Sequence, residues 1–269
     1  MIGSSRASIA VVQEAVDAKF DDPDLERAGK DLLDVADLLG REITLRRALS
    51  DAGRPAQERR SLASQMLATR VCALADELVG TIVASRWSSE SDLVDAVEFA
   101  GAQALFGAAE HRDELDRVEE ELFRFGRIVV VDGDLQLALS SHALPGSAKR
   151  GILVDILSGK ATGTTVDLLS FVAAHLRGRR LGQAIDALTA AAAHRRGKLV
   201  AVVTSARPLT GEQGSRLAAA LERIYSHPVV VNVQIRPSLV GGLSVQIGDE
   251  VIDGSIATRL ENARRRVSG

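Results

Sequence analysis

Over most of this chain hydrophobic residues recur at intervals of three and four, the period of one face of an α-helix. Leu32, Val35, Ala36 and Leu39 form such a stripe and predict a helix from Leu25 to Leu39. A second is predicted from Leu115 to Val130, and a long one opening near Asp92 carries Val94, Val97, Leu105 and Phe106. Around Arg195-Arg196-Gly197 the period changes. Leu199 to Val203 is short and β-branched and reads as a strand. Val229 to Ile235 reads as another, with Val229, Val231, Val233 and Ile235 alternating against Val230, Asn232 and Gln234. Between them, Thr210 and Gln213 have the spacing of a capping box, opening a helix through Leu217, Leu221 and Ile224. Gly241 to Ile252 predicts a hairpin turning at Gly248-Asp249, and Asp253-Gly254-Ser255 a turn into a basic terminal helix.

The helical part repeats itself. A shift of 90 residues aligns Leu25–Leu67 with Leu115–Leu157 without a gap, and ten positions are identical. They include Leu32/Leu122, Leu49/Leu139, Pro55/Pro145 and Arg60/Arg150. Each copy predicts a helix, a short break, a Leu-x-x-Ala-Leu-Ser helix end, and a proline at the first position of a further helix. More helix follows, roughly Cys72 to Ser85 in the first copy and Thr165 to Leu176 in the second, with Gly159 as a stop before it. Two unrelated Leu/Ala-rich stretches could share some identities, but the unbroken register and matched prolines favour duplication. The expected fold is mainly α: a helical bundle in two tandem copies (1–93 and 94–197), then a small α+β module (198–269).

Composition narrows the function. Apolar residues make up 46% of the 269 and aromatics only 3%, so the core is expected to be Leu, Val, Ile and Ala. That palette suits helix bundles and lacks the rings on which single-stranded nucleic acid stacks. A net charge of −3 gives no electrostatic case for nucleic acid or anionic lipid. Lone Cys72 leaves no internal disulfide framework and fits a reducing compartment; between Val71 and Ala73 it reads as a small buried hydrophobe. The apolar stretch after Arg6 stops at Gln13-Glu14, so no secretory signal is expected, and no run is long enough to span a bilayer.

Candidate chemistry is sparse. Ser158-Gly159-Lys160 faintly resembles a phosphate-binding loop, yet Val154 stands where its first glycine belongs and Ala161 follows the lysine. It reads instead as a glycine-capped helix end. His111, His142, His175, His194 and His227 show no metal-ligand spacing. Asp249, Glu250 and Asp253 are carboxylates that could do acid/base work or hold a cation, but their setting is that of turn residues. The clusters Arg177/Arg179/Arg180, Arg195/Arg196/Lys198 and Arg264/Arg265/Arg266 lie near predicted helix C-termini, where the dipole favours cations. Contact with an acidic partner helix is their other reading. No catalytic, cofactor-binding or metal-binding residue is expected.

One block is far more specific. Gly241-Gly242-Leu243, Ile247-Gly248-Asp249, Val251-Ile252-Asp253-Gly254-Ser255 and Arg259-Leu260 together resemble the C-terminal signature of the ATP synthase delta subunit family, which includes the oligomycin-sensitivity-conferring protein. Arg196-Gly197-Lys198, Val202, Ser205-Ala206 and Pro208-Leu209-Thr210 resemble the start of that family's terminal module. Ala102-Gln103-Ala104-Leu105-Phe106 resembles its Tyr-Ala-x-Ala-Leu-Phe helix, with Gly101 where tyrosine is usual, and Lys149 falls where a lysine follows the loop proline. The resemblance covers roughly Val94 to Arg266. With the extra first copy, the chain resembles the long actinobacterial form.

The resemblance implies a non-catalytic part of the peripheral stalk, or stator, in proton-driven ATP synthesis. The helical domain would grip N-terminal segments of alpha subunits on the catalytic head. The C-terminal module would grip the end of a b-type stalk subunit. The location implied is the cytoplasmic face of the cell membrane, peripherally and without a span of its own. Head-side signature positions are Ala102, Ala104, Leu105, Phe106 and Lys149; stalk-side ones are Gly241, Gly242, Gly248, Asp249, Ile252, Asp253, Gly254, Arg259 and Leu260. The glycines are expected to permit turns and Ile252 to pack in the core. A helical nucleic-acid-binding or regulatory adaptor is the alternative, and it would need a strongly basic face.

Overall fold

The computed structural model describes residues 4–67, 69–141, 143–195, 197, 199–225, 229–236, 242–247 and 250–253. Residue contacts divide the chain into two units, Met1–Ala192 and Ala193–Gly269.

In the first unit, α1 (Ser4–Asp17), α2 (Leu25–Arg41), α3 (Ile43–Ser50), α4 (Ala56–Leu67) and α5 (Ala73–Ala84) precede the long α6 (Glu90–His111). There follow α7 (Leu115–Val131), α8 (Gly133–Ser140), α9 (Gly146–Leu157), α10 (Gly163–Ala174) and α11 (Leu181–Arg195). A shift of 90 residues carries both ends of α2, α3, α4 and α5 onto both ends of α7, α8, α9 and α10. Coincidental resemblance of two Leu/Ala-rich stretches would not place four successive helices in one register. The predicted helices lie within a few residues of their observed bounds. Helices α1 and α11 are not among the elements predicted from the hydrophobic period.

Each copy builds its own core from equivalent positions. Leu32, Leu49 and Leu78 are buried in the first, and their counterparts Leu122, Leu139 and Leu168 in the second. Helix α6 belongs to both. Leu93, Val94, Ala96, Val97, Ala100 and Ala104 pack in the first core, and Ala102, Leu105, Phe106 and Ala109 in the second. The boundary expected at 94 therefore falls inside one continuous helix. Its start is fixed by Ser89, whose hydroxyl accepts the Asp92 N–H at 3.2 Å. The prolines stand one position earlier than expected: Pro145 is the N-cap of α9, and Pro55 directly precedes α4. A cap N–H lies outside the intrahelical ladder, so proline loses no hydrogen bond there either. Gly159, at φ +69°, stands just beyond the end of α9, as a glycine stop requires.

The second unit holds β1 (Leu199–Ser205), α12 (Gly211–Tyr225), β2 (Val229–Ile235), β3 (Leu243–Ile247) and β4 (Glu250–Asp253). The sheet order is β2-β1-β3-β4, with β1 and β2 parallel and the other neighbours antiparallel. The capping box is formed: the Gln213 N–H reaches the Thr210 hydroxyl at 3.2 Å, and the Thr210 N–H reaches the Gln213 side chain at 2.9 Å. Ala201, Val203, Leu221, Val229, Val245 and Ile247 make the core. Ile252 is not in it. On edge strand β4 it is 40% exposed, beside Val251 at 57%. The expectation of burial fails because, among the described residues, β4 is flanked by β3 alone and its outer side is left uncovered. The predicted Gly248-Asp249 turn and the terminal helix lie outside the described residues.

Candidate functional site

Ala102, Ala104, Leu105 and Phe106 lie on α6, and all four are buried. Their side chains hold the two cores together and present nothing to solvent. The reason for Gly101 is visible here. Helix α2 of the first copy crosses α6 in the most extensive interhelical contact among the described elements. A Cβ at Gly101 would come within 2.9 Å of a Leu33 methyl and 3.1 Å of the Gly29 carbonyl oxygen; a Cβ at Gly29 would meet Leu105 at 2.8 Å. Two glycines thus let the helix backbones approach, and a tyrosine could not occupy position 101. The equivalent first helix, α1, turns Val12 and Val16 into its core, at the positions matching Ala102 and Phe106. Val11, matching Gly101, is 48% exposed, with Ala7 exposed one turn earlier on the same face. No described element covers α1 as α2 covers α6.

Charged side chains close the ends of equivalent helices. Lys149 is buried and donates from Nζ to the Ala173 carbonyl oxygen at 2.9 Å, near the C-terminus of α10. Its counterpart Arg59 donates to the Ser85 and Ala84 carbonyls at 3.0 and 3.2 Å, at the end of α5. Burial pushes both pKa values down. At the other end, Asp31 accepts the Cys72 N–H at 2.6 Å at the start of α5. Its counterpart Glu121 accepts the Thr162 N–H and hydroxyl, each at 2.9 Å, and the Thr165 hydroxyl at 2.7 Å. Burial raises the Glu121 pKa, but these hydrogen bonds outweigh it and hold the carboxyl below its ordinary value. Counting identities missed both pairs, because Arg59/Lys149 and Asp31/Glu121 keep the charge and change the residue. Scoring the 90-residue shift by charge would have found them.

The two copies are also joined by polar contacts. Asp37 on α2 meets His175 Nε2 at 2.7 Å; Lys30 meets Asp167 of α10 at 3.3 Å; Arg112 meets Glu26 at 2.7 Å. Arg177 and Arg179 pair with Glu98 of α6, and Arg179 also donates to the His175 and Leu176 carbonyl oxygens at 3.2 and 3.1 Å, at the C-terminal end of α10 where the sequence places a dipole partner. Cys72 is buried, and burial raises its thiol pKa. Among the described residues no cluster of His, Cys, Asp or Glu could hold a metal ion, and no helix is long and apolar enough to cross a membrane.

Of the stalk-side positions, Gly242 precedes β3 with φ +86°, a backbone conformation that demands glycine. Ile252 and Asp253 lie on β4, Asp253 opposite Ser244. Glu250 accepts the Tyr225 hydroxyl at 2.8 Å, joining β4 to the end of α12. Gly241, Gly248, Asp249, Gly254, Arg259 and Leu260 lie outside the described residues.

A family model described as ATP synthase delta (OSCP) subunit matches residues 100–267. The chain is 42% identical over 270 residues to ATP synthase subunit delta of Streptomyces coelicolor, covering all of this chain and 98% of that one. It is 41% identical over 270 residues to that of Nocardia farcinica, covering all of both chains. The relative from Kineococcus radiotolerans is 39% identical over 269 residues, with 99% of this chain and 98% of that one covered. A chain of the mitochondrial ATP synthase hexamer of Toxoplasma gondii matches at a TM-score of 0.44 and 21% identity, over 62% of this chain and 95% of that one. With a match to most of its length by the family model and full-length relatives at such identity, the chain belongs to the ATP synthase delta (OSCP) subunit family.

Proposed function

We propose that this chain is the stator connector of a proton-translocating ATP synthase, joining the catalytic head to a b-type stalk so that rotor torque drives ATP synthesis. It acts by holding and contributes no catalytic group. The observation that carries this reading is full-length relationship to proteins named ATP synthase subunit delta. In this proposal the helical unit binds an N-terminal segment of alpha and the strand module binds the end of the stalk subunit. Of the two equivalent first helices, α6 is covered by α2 while α1 keeps Val11 and its neighbours open. The alpha segment therefore docks as an amphipathic helix on α1. Several weak contacts acting together suit a joint under sustained torque, since linked sites gain avidity.

The test is a binding assay with the full chain, an alpha N-terminal peptide and the soluble end of a b-type subunit. Both should be retained, and Val11→Glu should weaken the alpha peptide at least tenfold while leaving the stalk fragment unaffected. Retention of neither partner would defeat the connector reading. Full alpha binding by Val11→Glu would move the head contact away from α1.

A further inference from the structure

The 90-residue shift matches α7 to α2, and the C-terminal halves of the two helices differ in what covers them. On α2 one ridge is closed by its surroundings. Leu33 is buried against Gly101 of α6, and Asp37 bonds the ring of His175, the C-cap of α10. The matching ridge of α7 is Phe123, Arg127 and Val130, at spacings of four and three, with Val131 one turn on from Arg127. Here the ridge is open: Phe123 is 39% exposed, Val130 74% and Val131 84%.

In the first copy the positions matching Val130 and Val131 hold Gly40 and Arg41, as a solvated helix end requires. Apolar side chains exposed together on one helix end instead mark a contact surface. The charge at the centre of the ridge is also inverted. Arg127 stands where α2 has Asp37, is exposed, and has no hydrogen bond or ion pair among the described residues. The nearest acids along the chain are engaged: Glu120 pairs with Arg124, and Asp132 accepts the Leu135 N–H as the cap of α8. The helix dipole accounts for an arginine in this turn but not for the valines around it. The α2 ridge carries an acid, and its neighbour His175 meets it with a ring nitrogen. The α7 ridge carries a cation, so the matching neighbour is one that offers a carboxylate.

We infer that the C-terminal half of α7 is a docking surface for an acidic amphipathic helix of a protein partner. The apolar stripe of that helix packs on Phe123, Val130 and Val131, and an Asp or Glu within the stripe pairs with Arg127. Two other occupants fit less well. A second copy of this chain meeting the same face would crowd Arg127 of one molecule toward Arg127 of the other, and three side chains fall well short of the ~800 Å² per partner of a stable interface. An anionic membrane surface is disfavoured by the net charge of −3. The inference stands apart from the head contact proposed above, which uses α1.

The experiment uses the full chain, isotope-labelled for amide NMR, and three capped helical peptides that share one leucine stripe and carry Glu, Gln or Lys at its centre. The Glu peptide should shift the amides of Phe123, Arg127 and Val130 saturably. The Gln peptide should bind about threefold more weakly, as an exposed ion pair allows, and the Lys peptide more weakly still. Arg127→Glu should reverse the order, favouring Lys over Glu, an inversion that loss of structure cannot produce. Joint Val130→Ser and Val131→Ser should weaken the Glu peptide about tenfold. The thermal unfolding temperature should stay unchanged, because both side chains already lie in solvent. Equal binding of the three peptides, an unaltered order in Arg127→Glu, or shifts confined to other helices would overturn the proposal. So would co-sedimentation of the chain with phosphatidylglycerol vesicles that Arg127→Glu abolishes, or a dimer in sedimentation equilibrium that the two valine substitutions break.

Discussion

Glu121 shows how much can hang on one side chain. It receives one backbone N–H and two hydroxyls at the start of α10, and hydrogen bonds to a charged acceptor are worth roughly twice those to a neutral one. Glu121→Gln keeps the shape and removes the charge, so it should cost about 1 kcal/mol at neutral pH. The folded carboxyl lies below its ordinary value of 4.5. The stabilisation is therefore complete above pH 4.5 and lost as pH falls through the folded value. Urea unfolding of both proteins from pH 7 to pH 3 should show the gap closing at the acid end; a constant gap would mean the charge is irrelevant. The sequence hid this residue, since an exposed-looking Glu on an amphipathic helix is ordinary. Lys149 was visible only as a family position, and its burial against the Ala173 carbonyl could not be read from its neighbours in the chain.

At the scale of elements, the period of hydrophobic residues sufficed wherever one face is apolar and the other is not. Helix α2 alternates in that way, and so do its copy α7 and helix α12. Helix α6 was found by its length and apolar content, but its role was illegible. Being buried along both flanks it carries little amphipathic contrast, and nothing in the chain announces which bundle it serves. Gly101 was noticed only as a departure from a family pattern; the crossing of α2 over α6 explains it. Gly101→Leu should destabilise the protein by about 1–3 kcal/mol in urea unfolding, as overpacking of a closed contact does. Gly40, also helical, would place its Cβ more than 4 Å from any other group. Gly40→Ala should therefore stabilise by about 0.4–1 kcal/mol. If both substitutions had the same sign, the close approach of the two helices would not be the cause. In the strand module, the capping box and the bounds of β2 were legible because both are local. The exposure of Ile252 was not, because it depends on which strand lies at the edge of the sheet.

For the molecule as a whole, the duplication could be read from sequence, but the manner of joining could not. Two copies of about 90 residues suggested two bundles in series. Instead they share α6 and are tied by Asp37–His175, Lys30–Asp167 and Arg112–Glu26. Neither bundle can lose its core without taking that helix from the other. Leu32→Ala and Leu122→Ala, each at a fully buried position, should cost about 2–5 kcal/mol. Calorimetry should show both lowering one and the same transition of the helical unit. Separate transitions, each moved by one substitution only, would show the copies to be independent. The continuity of α6 also sets how the unit is built up. Where a helix ends one bundle and begins the next, each copy adds five helices rather than six. There is then no linker between the copies to cut. A protease that nicks the loops should fail to release either bundle, and a truncation placed at residue 94 would split a helix instead of parting two domains.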